Sequence, residues 1–231
     1  MTIQIYLDSA NLSEIERFSQ DDLVCGFTTN PTLMRKAGVI SASNFARDAV
    51  KLAGKKPISF EVSSEIPKEI IRQANQIASF GENTYVKVPI VNSKGESLIY
   101  EIRNLLEAGI KINITAVFGI HQIKDLLNKH PLSTQFIISC FAGRIADTQR
   151  DPVPIMREMS KAIYSTEAKL LWASAREVLN VYHAEQAGAD IITLTQELLT
   201  KLTIKNKDLD IYSQETSQMF FNDALESNLH F

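Results

Sequence analysis

The stretch from Tyr85 to Pro89 reads Tyr-Val-Lys-Val-Pro and lies between glycines at Gly81 and Gly95. β-Branched and aromatic residues between glycines are typical of a strand. A charged ammonium group is costly to bury on such a strand. Lys87 therefore either reaches solvent or lies where water is scarce and its neutral amine is nucleophilic. Function is the leading explanation for a charge in this position.

Stretches of this kind recur along the chain and alternate with amphipathic or capped segments. The eight predicted strands span residues 3–8, 23–28, 58–62, 85–89, 110–117, 136–141, 170–174 and 190–194. Such alternation predicts a parallel sheet buried on both faces. An open doubly wound sheet fits as well, but no Gly-x-Gly-x-x-Gly or P-loop sequence supports it. We predict an α/β fold, a single (β/α)8 TIM barrel, over residues 1–205.

A further helix is predicted after the eighth unit, in a tail that spans residues 206–231. The helix covers residues 211–225 and carries Met219, Phe220 and Phe221, which is more apolar surface than a free tail should expose. We therefore expect the tail to pack on its own barrel or on a neighbouring one.

Composition excludes several classes of protein. The 231 residues carry a net charge of −3 with both signs interspersed, so no basic stripe points to a nucleic-acid partner. The apolar stretches are too short to span a membrane, and the first residues do not form a signal peptide. Cys25 and Cys140 lie singly in predicted strands, which suits a reducing cytoplasm. We expect a cytoplasmic protein that acts on small molecules.

Polar side chains collect at one end of the predicted barrel. Side chains alternate between the two faces of a strand, so residues of one parity point into the barrel. The inward polar residues at or near the strand ends are Asp8, Thr28, Asn30, Glu61, Lys87, Asn113, Thr115, Ser139, Ser174 and Arg176. The carboxyl end of the strands is where barrel enzymes carry their chemistry, so this set predicts an active site.

The set contains a lysine and two carboxylates but no cluster of histidine or cysteine, so we predict no metal site. His121, His130, His183 and His230 fall in predicted helices, loops or the tail. Asp8 and Glu61 alone could hold Mg²⁺, but Lys87 would oppose the ion. A lysine beside carboxylates instead suits imine chemistry on a carbonyl substrate.

Six motifs resemble those of the transaldolases and occur in the same order. They begin at Tyr6 (YLDSAN), Gly26 (GFTTNPTL), Val86 (VKVP), Ile112 (INIT), Ser139 (SCFAGR) and Ala173 (ASAR). The chain resembles the small transaldolase subfamily, which includes fructose-6-phosphate aldolases, over nearly its whole length. The resemblance implies a class I, Schiff-base mechanism on ketose and aldose phosphates without a metal or organic cofactor. It also implies a homo-oligomer, a pentamer or a decamer.

The resemblance assigns a role to each catalytic candidate. Lys87 would form the imine with the donor ketose, and Asp8 would accept the C4 hydroxyl proton as the carbon–carbon bond breaks. Glu61 and Thr115 would hold the water that carries protons. The structural alternatives are a helix cap for Asp8, a solvated strand end for Glu61 and a solvent-facing side chain for Lys87.

The remaining residues would bind substrate. Thr28, Asn30, Asn113 and Ser139 would contact its hydroxyl groups, and Phe141 would form a wall of the pocket. Arg144, Ser174 and Arg176 would bind its phosphate. Asn30 before Pro31 is also a typical helix cap, Phe141 could simply belong to the core, and either arginine could form a surface ion pair.

Transfer to an aldose phosphate and free aldol cleavage share every step until the donor fragment is left on Lys87 as an enamine. The two reactions differ in what then happens to this fragment. Aldolase-type relatives usually have glutamine at the position of Glu61 and tyrosine at that of Phe118, so this chain favours transfer. Four residues depart from the family pattern, namely Phe27, Cys140, Trp172 and Ala175. A fructose-6-phosphate aldolase or a specialised sugar-phosphate aldolase is therefore the alternative. A non-catalytic sugar-phosphate-binding barrel is a more distant one.

Overall fold

Eight parallel strands form the centre of the molecule. They are β1 (Gln4–Asp8), β2 (Val24–Thr28), β3 (Ile58–Glu61), β4 (Thr84–Pro89), β5 (Ile112–Val117), β6 (Phe136–Cys140), β7 (Ala168–Trp172) and β8 (Ile191–Leu194). Each strand pairs with the next in the chain, and β8 pairs with β1, so the sheet closes into a barrel. The computed structural model describes residues 3–127 and 134–227. The predicted (β/α)8 TIM barrel with an added C-terminal helix is confirmed.

Helices follow every strand of the barrel. They are α1 (Leu12–Ser19), α2 (Pro31–Lys36), α3 (Ala42–Ala53), α4 (Pro67–Ala78), α5 (Ile99–Glu107), α6 (Ile120–Leu127), α7 (Ala142–Asp147), α8 (Pro152–Ile163), α9 (Asn180–Gln186) and α10 (Gln196–Lys201). Several begin at side-chain caps. Asn11 accepts a hydrogen bond from the Ser13 amide, and Asp151 accepts one from the Val153 amide.

The chain divides into two units, Met1–Leu199 and Thr200–Phe231. The second unit contains a 3₁₀ turn (Leu202–Ile204) and an 18-residue helix, α11 (Leu209–Glu226), which Asp208 caps. The tail's packing on its own or a neighbouring barrel stays a prediction. Among the residues that the structure describes, no helix combines the length and the apolarity that a membrane crossing needs.

The barrel interior below the candidate site is a small apolar cluster. It consists of Tyr6, Ile137, Leu171, Ala173 and Ile191. Tyr6 fits because Gly26 faces it: a Cβ at Gly26 would lie 2.6 Å from the Tyr6 ring. Burial raises the pKa of the Tyr6 hydroxyl above its usual range. The site therefore borders a buried apolar cluster within the barrel.

The predicted strand ends differ from the observed ones on β6 and β7. Phe141 lies one residue beyond β6, where it begins α7. Ser174 lies two residues beyond β7, and its backbone takes a left-handed conformation with φ of 62°, outside the extended region of regular strand residues. Ser174 therefore belongs to a loop, and its direction is not set by strand parity.

Candidate active site

A cavity of about 500 Å³ opens at the carboxyl ends of the strands. Eleven of the twelve predicted site residues line it, namely Asp8, Thr28, Asn30, Glu61, Lys87, Thr115, Ser139, Phe141, Arg144, Ser174 and Arg176. The period-2 pattern of the strands thus brings together residues from β1 to β6, whereas Arg144 comes from α7 and Arg176 from the loop after β7.

Asn113 is the predicted site residue that does not line the cavity. It is fully buried on β5, where its amide donates to Ser59 Oγ at 3.1 Å and accepts from Ser139 Oγ at 2.7 Å. Asn113 therefore orients Ser139 from below the cavity. Its predicted contact with substrate stays a prediction.

Lys87 lies on the cavity wall with its side chain almost completely buried. Its Nζ donates to the Thr29 carbonyl oxygen at 2.8 Å and lies 3.4 Å from Glu61 Oε2. The pairing of β3 with β4 sets this second contact because Glu61 stands directly opposite Lys87 in the register. The solvent-facing alternative for Lys87 does not hold, since the backbone and a carboxylate fix the amine inside the barrel.

Asp8 faces the same cavity from the end of β1. Thr28 Oγ1 donates to Asp8 Oδ1 at 2.7 Å, and Asn30 Nδ2 donates to Oδ2 at 3.4 Å. Burial raises the pKa of the Asp8 carboxyl, and Glu61 adds to that effect, whereas Lys87 and the hydrogen bonds from Thr28 and Asn30 oppose it. Asp8 therefore binds a proton more readily than an exposed carboxylate does.

Asn30 is the predicted helix cap and also lines the cavity, whereas its contact with substrate stays a prediction. Its Oδ1 accepts from the Leu33 amide at 2.9 Å and so caps α2, with Pro31 in the first turn. Its amide nitrogen points to Asp8. The cap for α1, in contrast, comes from Asn11, so Asp8 is free of that structural task.

Thr115 lies beside a break in the β5–β6 pairing. The register shifts between Ile114 and Val117, and Ala116 has φ of 56° in between. Such a bulge redirects the side chains next to it. The Thr115 hydroxyl is buried and has no hydrogen-bond partner among the described residues. A buried, unpartnered hydroxyl is costly, and left-handed strain in a non-glycine residue often marks function.

Two arginines occupy the outer part of the cavity. Arg144 projects from α7, and its guanidinium lies 5.4 Å from the centre of the Phe141 ring. Arg176 projects from the loop after β7, and it forms an ion pair with Asp147 in which both side chains are about half exposed. Arg176 therefore does form the ion pair that was predicted as its structural alternative. Both arginines nevertheless line the cavity, so two guanidinium groups face it.

Several residues of the site escaped the sequence analysis. Lys36, Thr193 and Thr195 also line the cavity. Thr193 could have been found, because it is the inward polar residue of the predicted strand at 190–194. Lys36 could not, because its direction depends on how α2 is placed. Asp147 gave no signal, since its contact with Arg176 joins the end of α7 to the loop after β7.

The family departures fall mostly outside the cavity. Phe27, Cys140 and Trp172 are fully buried and absent from its lining. Burial raises the pKa of the Cys140 thiol to about 12, so this thiol is poorly reactive. Ala175 does line the cavity, and there a small side chain stands where relatives usually carry phenylalanine. Of these four residues, Ala175 is therefore the one that belongs to the cavity lining.

The two histidines that the structure describes, His121 and His183, are not part of the cavity lining. His121 belongs to α6 and His183 to α9, whereas His130 and His230 lie outside the described residues. Within residues 3–127 and 134–227, no three side chains of His, Cys, Asp or Glu converge as metal ligands would.

Comparisons with known proteins agree with the geometry. A model of the transaldolase/fructose-6-phosphate aldolase family matches residues 5–229. A probable transaldolase of Maridesulfovibrio salexigens is 32% identical over 202 residues, which cover 87% of this chain and 90% of that protein. A probable transaldolase of Thermoplasma volcanium is 32% identical over 212 residues, which cover 90% and 91%, respectively.

Solved structures show the same barrel at low identity. A 3-hexulose-6-phosphate synthase from Salmonella typhimurium superposes with a TM-score of 0.56 at 16% identity, over 84% of this chain and 89% of that chain. This likeness concerns the fold alone. The family inferred from the motifs is confirmed by the family match and by the identity to the probable transaldolases. The chain belongs to the transaldolase/fructose-6-phosphate aldolase family of enzymes.

Proposed function

We propose that the protein transfers a dihydroxyacetone unit from a ketose phosphate to an aldose phosphate through a Schiff base on Lys87. Fructose 6-phosphate or sedoheptulose 7-phosphate is the proposed donor. The observation that carries the proposal is the position of Lys87 Nζ, buried in the cavity 3.4 Å from Glu61, with Asp8 and two arginines on the same lining.

The first step is imine formation. Lys87 gives one proton to the Glu61 carboxylate, and its amine attacks the C2 carbonyl carbon of the ketose. A second amine proton moves to the carbonyl oxygen. The carbinolamine then takes back the proton held by Glu61 as it loses its oxygen as water, which leaves an iminium ion. Glu61 stands beside the amine, and the unpartnered hydroxyl of Thr115 lies on the same wall. These two groups hold the water that carries protons between the amine and the departing oxygen.

The second step breaks the C3–C4 bond. Asp8 removes the proton from the C4 hydroxyl group, the C4 oxygen becomes a carbonyl, and the bonding electrons move into the iminium to give a neutral enamine on Lys87. The aldose phosphate leaves. Attack of the enamine on the carbonyl carbon of a second aldose phosphate, with the proton returned by Asp8, reverses the step and gives a new iminium ion. Water then hydrolyses this iminium ion, which releases the new ketose phosphate and frees Lys87.

Arg144 and Arg176 bind the substrate phosphate at the far side of the cavity. Guanidinium groups match phosphate oxygens with paired hydrogen bonds, and the Ser174 hydroxyl adds a neutral donor. The phosphate fixes one end of the sugar chain, so that its carbonyl carbon lies within reach of Lys87.

Transfer is favoured over free cleavage because free cleavage requires a side chain that protonates the enamine. Phe118 lies 5.8 Å, ring centre to ring centre, from Phe141 on the cavity wall, and it has no hydroxyl to hand a proton to the enamine. Cleavage with release of dihydroxyacetone, as in a fructose-6-phosphate aldolase, is the second candidate. The small side chain of Ala175 in the cavity lining favours a different acceptor sugar, whether the reaction is transfer or cleavage.

Borohydride trapping tests the proposal. Incubation with fructose 6-phosphate and borohydride should add the mass of the reduced adduct to the peptide that contains Lys87. Lys87→Met should abolish the adduct and turnover, whereas Lys51→Met, on the exposed face of α3, should keep both. Wild-type protein that forms no adduct with any ketose phosphate would sink the imine mechanism and favour the non-catalytic barrel.

We also propose that the protein works in the cytoplasm as a homo-oligomer, a pentamer or a decamer by resemblance. Helix α11 supports this, because Met219, Phe220 and Phe221 are each at least half exposed in a single chain. Light scattering on the purified protein measures the number of chains, and a monomer at micromolar concentration would contradict it.

A further inference from the structure

Two buried threonines meet behind Asp8. Thr28 Oγ1 on β2 and Thr193 Oγ1 on β8 are 2.6 Å apart, and both side chains are almost completely buried. β1 lies between these strands. Asp8 stands opposite Thr28 in one register, and Tyr6 stands opposite Thr193 in the other. The two strands that flank β1 thus bring a pair of hydroxyl groups to its carboxylate.

The direction of the hydrogen bonds follows from counting protons. Thr28 has one hydroxyl proton, and it donates that proton to Asp8 Oδ1 at 2.7 Å. An ionised carboxylate only accepts. The oxygen of Thr28 must therefore accept from Thr193, and the chain runs from Thr193 through Thr28 to Oδ1. Successive hydrogen bonds that point the same way strengthen each other.

The two oxygens of Asp8 are consequently unequal. Oδ1 accepts the strong bond at the end of the hydroxyl chain, whereas Oδ2 has the longer 3.4 Å contact with Asn30. A proton arriving on Oδ1 would compete with the donation from Thr28. A proton arriving on Oδ2 would leave the whole chain intact.

We propose that Thr193 is a positioning residue for the proton transfer: through Thr28 it fixes Oδ1 and reserves Oδ2 as the oxygen that takes the proton of the C4 hydroxyl group. The inference rests on the proposed function. As the C3–C4 bond breaks, its electrons go to the Lys87 iminium, the proton of the C4 hydroxyl group goes to Oδ2, and the C4 oxygen becomes the carbonyl oxygen of the leaving aldose.

The surroundings of Asp8 predict what loss of Thr193 does. Lys87 and Glu61 are the charged groups that act on Asp8, and Lys36, Arg144 and Arg176 line the same cavity. None of these charges changes in a Thr193 variant. Only the donation from Thr28 weakens, and this bond lowers the pKa of Asp8. The acid limb of the pH profile, where the cleavage rate falls as Asp8 takes up a proton, should therefore move to higher pH.

The test is a pH profile of single-turnover release of the aldose phosphate from fructose 6-phosphate. Thr193→Val should slow release by roughly 2- to 10-fold, which corresponds to the loss of one neutral hydrogen bond. It should also move the acid limb of the profile to higher pH. Thr193→Ser keeps the donor and should restore both. Thr84→Val removes another buried strand hydroxyl, one without a partner among the described residues, and should move neither.

Borohydride trapping in the same samples separates this inference from the proposed function. Thr193→Val should still form the Lys87 adduct, because imine formation precedes the proton transfer at Asp8. A wild-type adduct together with an unmoved acid limb in Thr193→Val would overturn the role of Thr193 alone. No adduct in the wild type would overturn the proposed function as well. If thermal melting shows that the valine variant does not fold, Thr193→Ala replaces it under the same criteria.

Discussion

Gly143 lies directly against the backbone of Ser174, so closely that a Cβ on Gly143 would come within 1.6 Å of the Ser174 carbonyl oxygen. The Gly143 amide also donates to the Ala173 carbonyl at 3.3 Å. This contact joins α7 to the loop after β7. It therefore sets how far Arg144, on one side, stands from Arg176, on the other.

Gly143→Ala should push α7 away from the loop after β7. The added methyl group meets a backbone atom that no side-chain rotation can move away, and such overpacking typically costs about 1–3 kcal/mol of the free energy of unfolding. We expect a lower melting temperature and a raised KM for phosphorylated substrates. Ala146→Ser, on the exposed side of the same helix, is the control. A Gly143→Ala protein with unchanged KM would show that the spacing of the arginines does not matter.

The phosphate role of the arginines is tested by comparing substrates. Arg144→Ala and Arg176→Ala should each raise the KM for phosphorylated substrates roughly tenfold or more, because a charged hydrogen bond is lost. The KM for an unphosphorylated analogue should hardly change. Arg150→Ala, an exposed residue outside the cavity lining, serves as the control. Equal effects on both substrates would argue against a phosphate clamp.

Much of the site followed from strand parity. Asp8, Glu61 and Lys87 lie where the period-2 pattern predicted, because a barrel strand can turn a given residue only inward or outward. Ser174 shows where that logic ends, since its left-handed backbone leaves the strand pattern. Asn113 was assigned to the correct face, yet its depth depends on Ser59 and on other neighbours that only the folded barrel brings together.

Contacts between the segments that follow β6 and β7 could not be predicted from the sequence. The Arg176–Asp147 pair links residues 29 positions apart, neither of which lies on a strand. No periodic rule relates such positions, because loop conformation is set by packing such as that of Gly143 on Ser174. The pair nevertheless places a carboxylate next to a group assigned to phosphate binding.

Asp147→Asn should improve the binding of phosphorylated substrates. The amide oxygen of asparagine can still accept from Arg176, while the negative charge that repels a phosphate dianion is removed. A half-exposed ion pair is worth about 0–1 kcal/mol, so we expect the KM to fall by up to roughly fivefold at low salt. The gain should fade as salt is added. A KM that rises instead would mean that the carboxylate itself is needed to orient Arg176.

Asp8→Asn should abolish turnover and stabilise the fold at neutral pH. Burial raises the folded-state pKa of Asp8 above its unfolded value. A raised pKa contributes stability that is complete below the unfolded pKa and is lost as the pH rises through the folded pKa. Ionised Asp8 therefore lowers the free energy of unfolding at neutral pH, and a neutral asparagine removes this cost, as is common for catalytic residues.

Urea unfolding between about pH 5 and pH 8 measures the effect. The difference in free energy of unfolding between Asp8→Asn and the wild type should grow as the pH rises and shrink as the solution becomes acidic. Asp48→Asn, on the exposed face of α3, is the matched control and should show no such trend. If Asp8→Asn were less stable than the wild type at neutral pH, the contacts of the carboxylate with Lys87 and Thr28 would outweigh its burial, and Asp8 would serve the fold as well as the reaction.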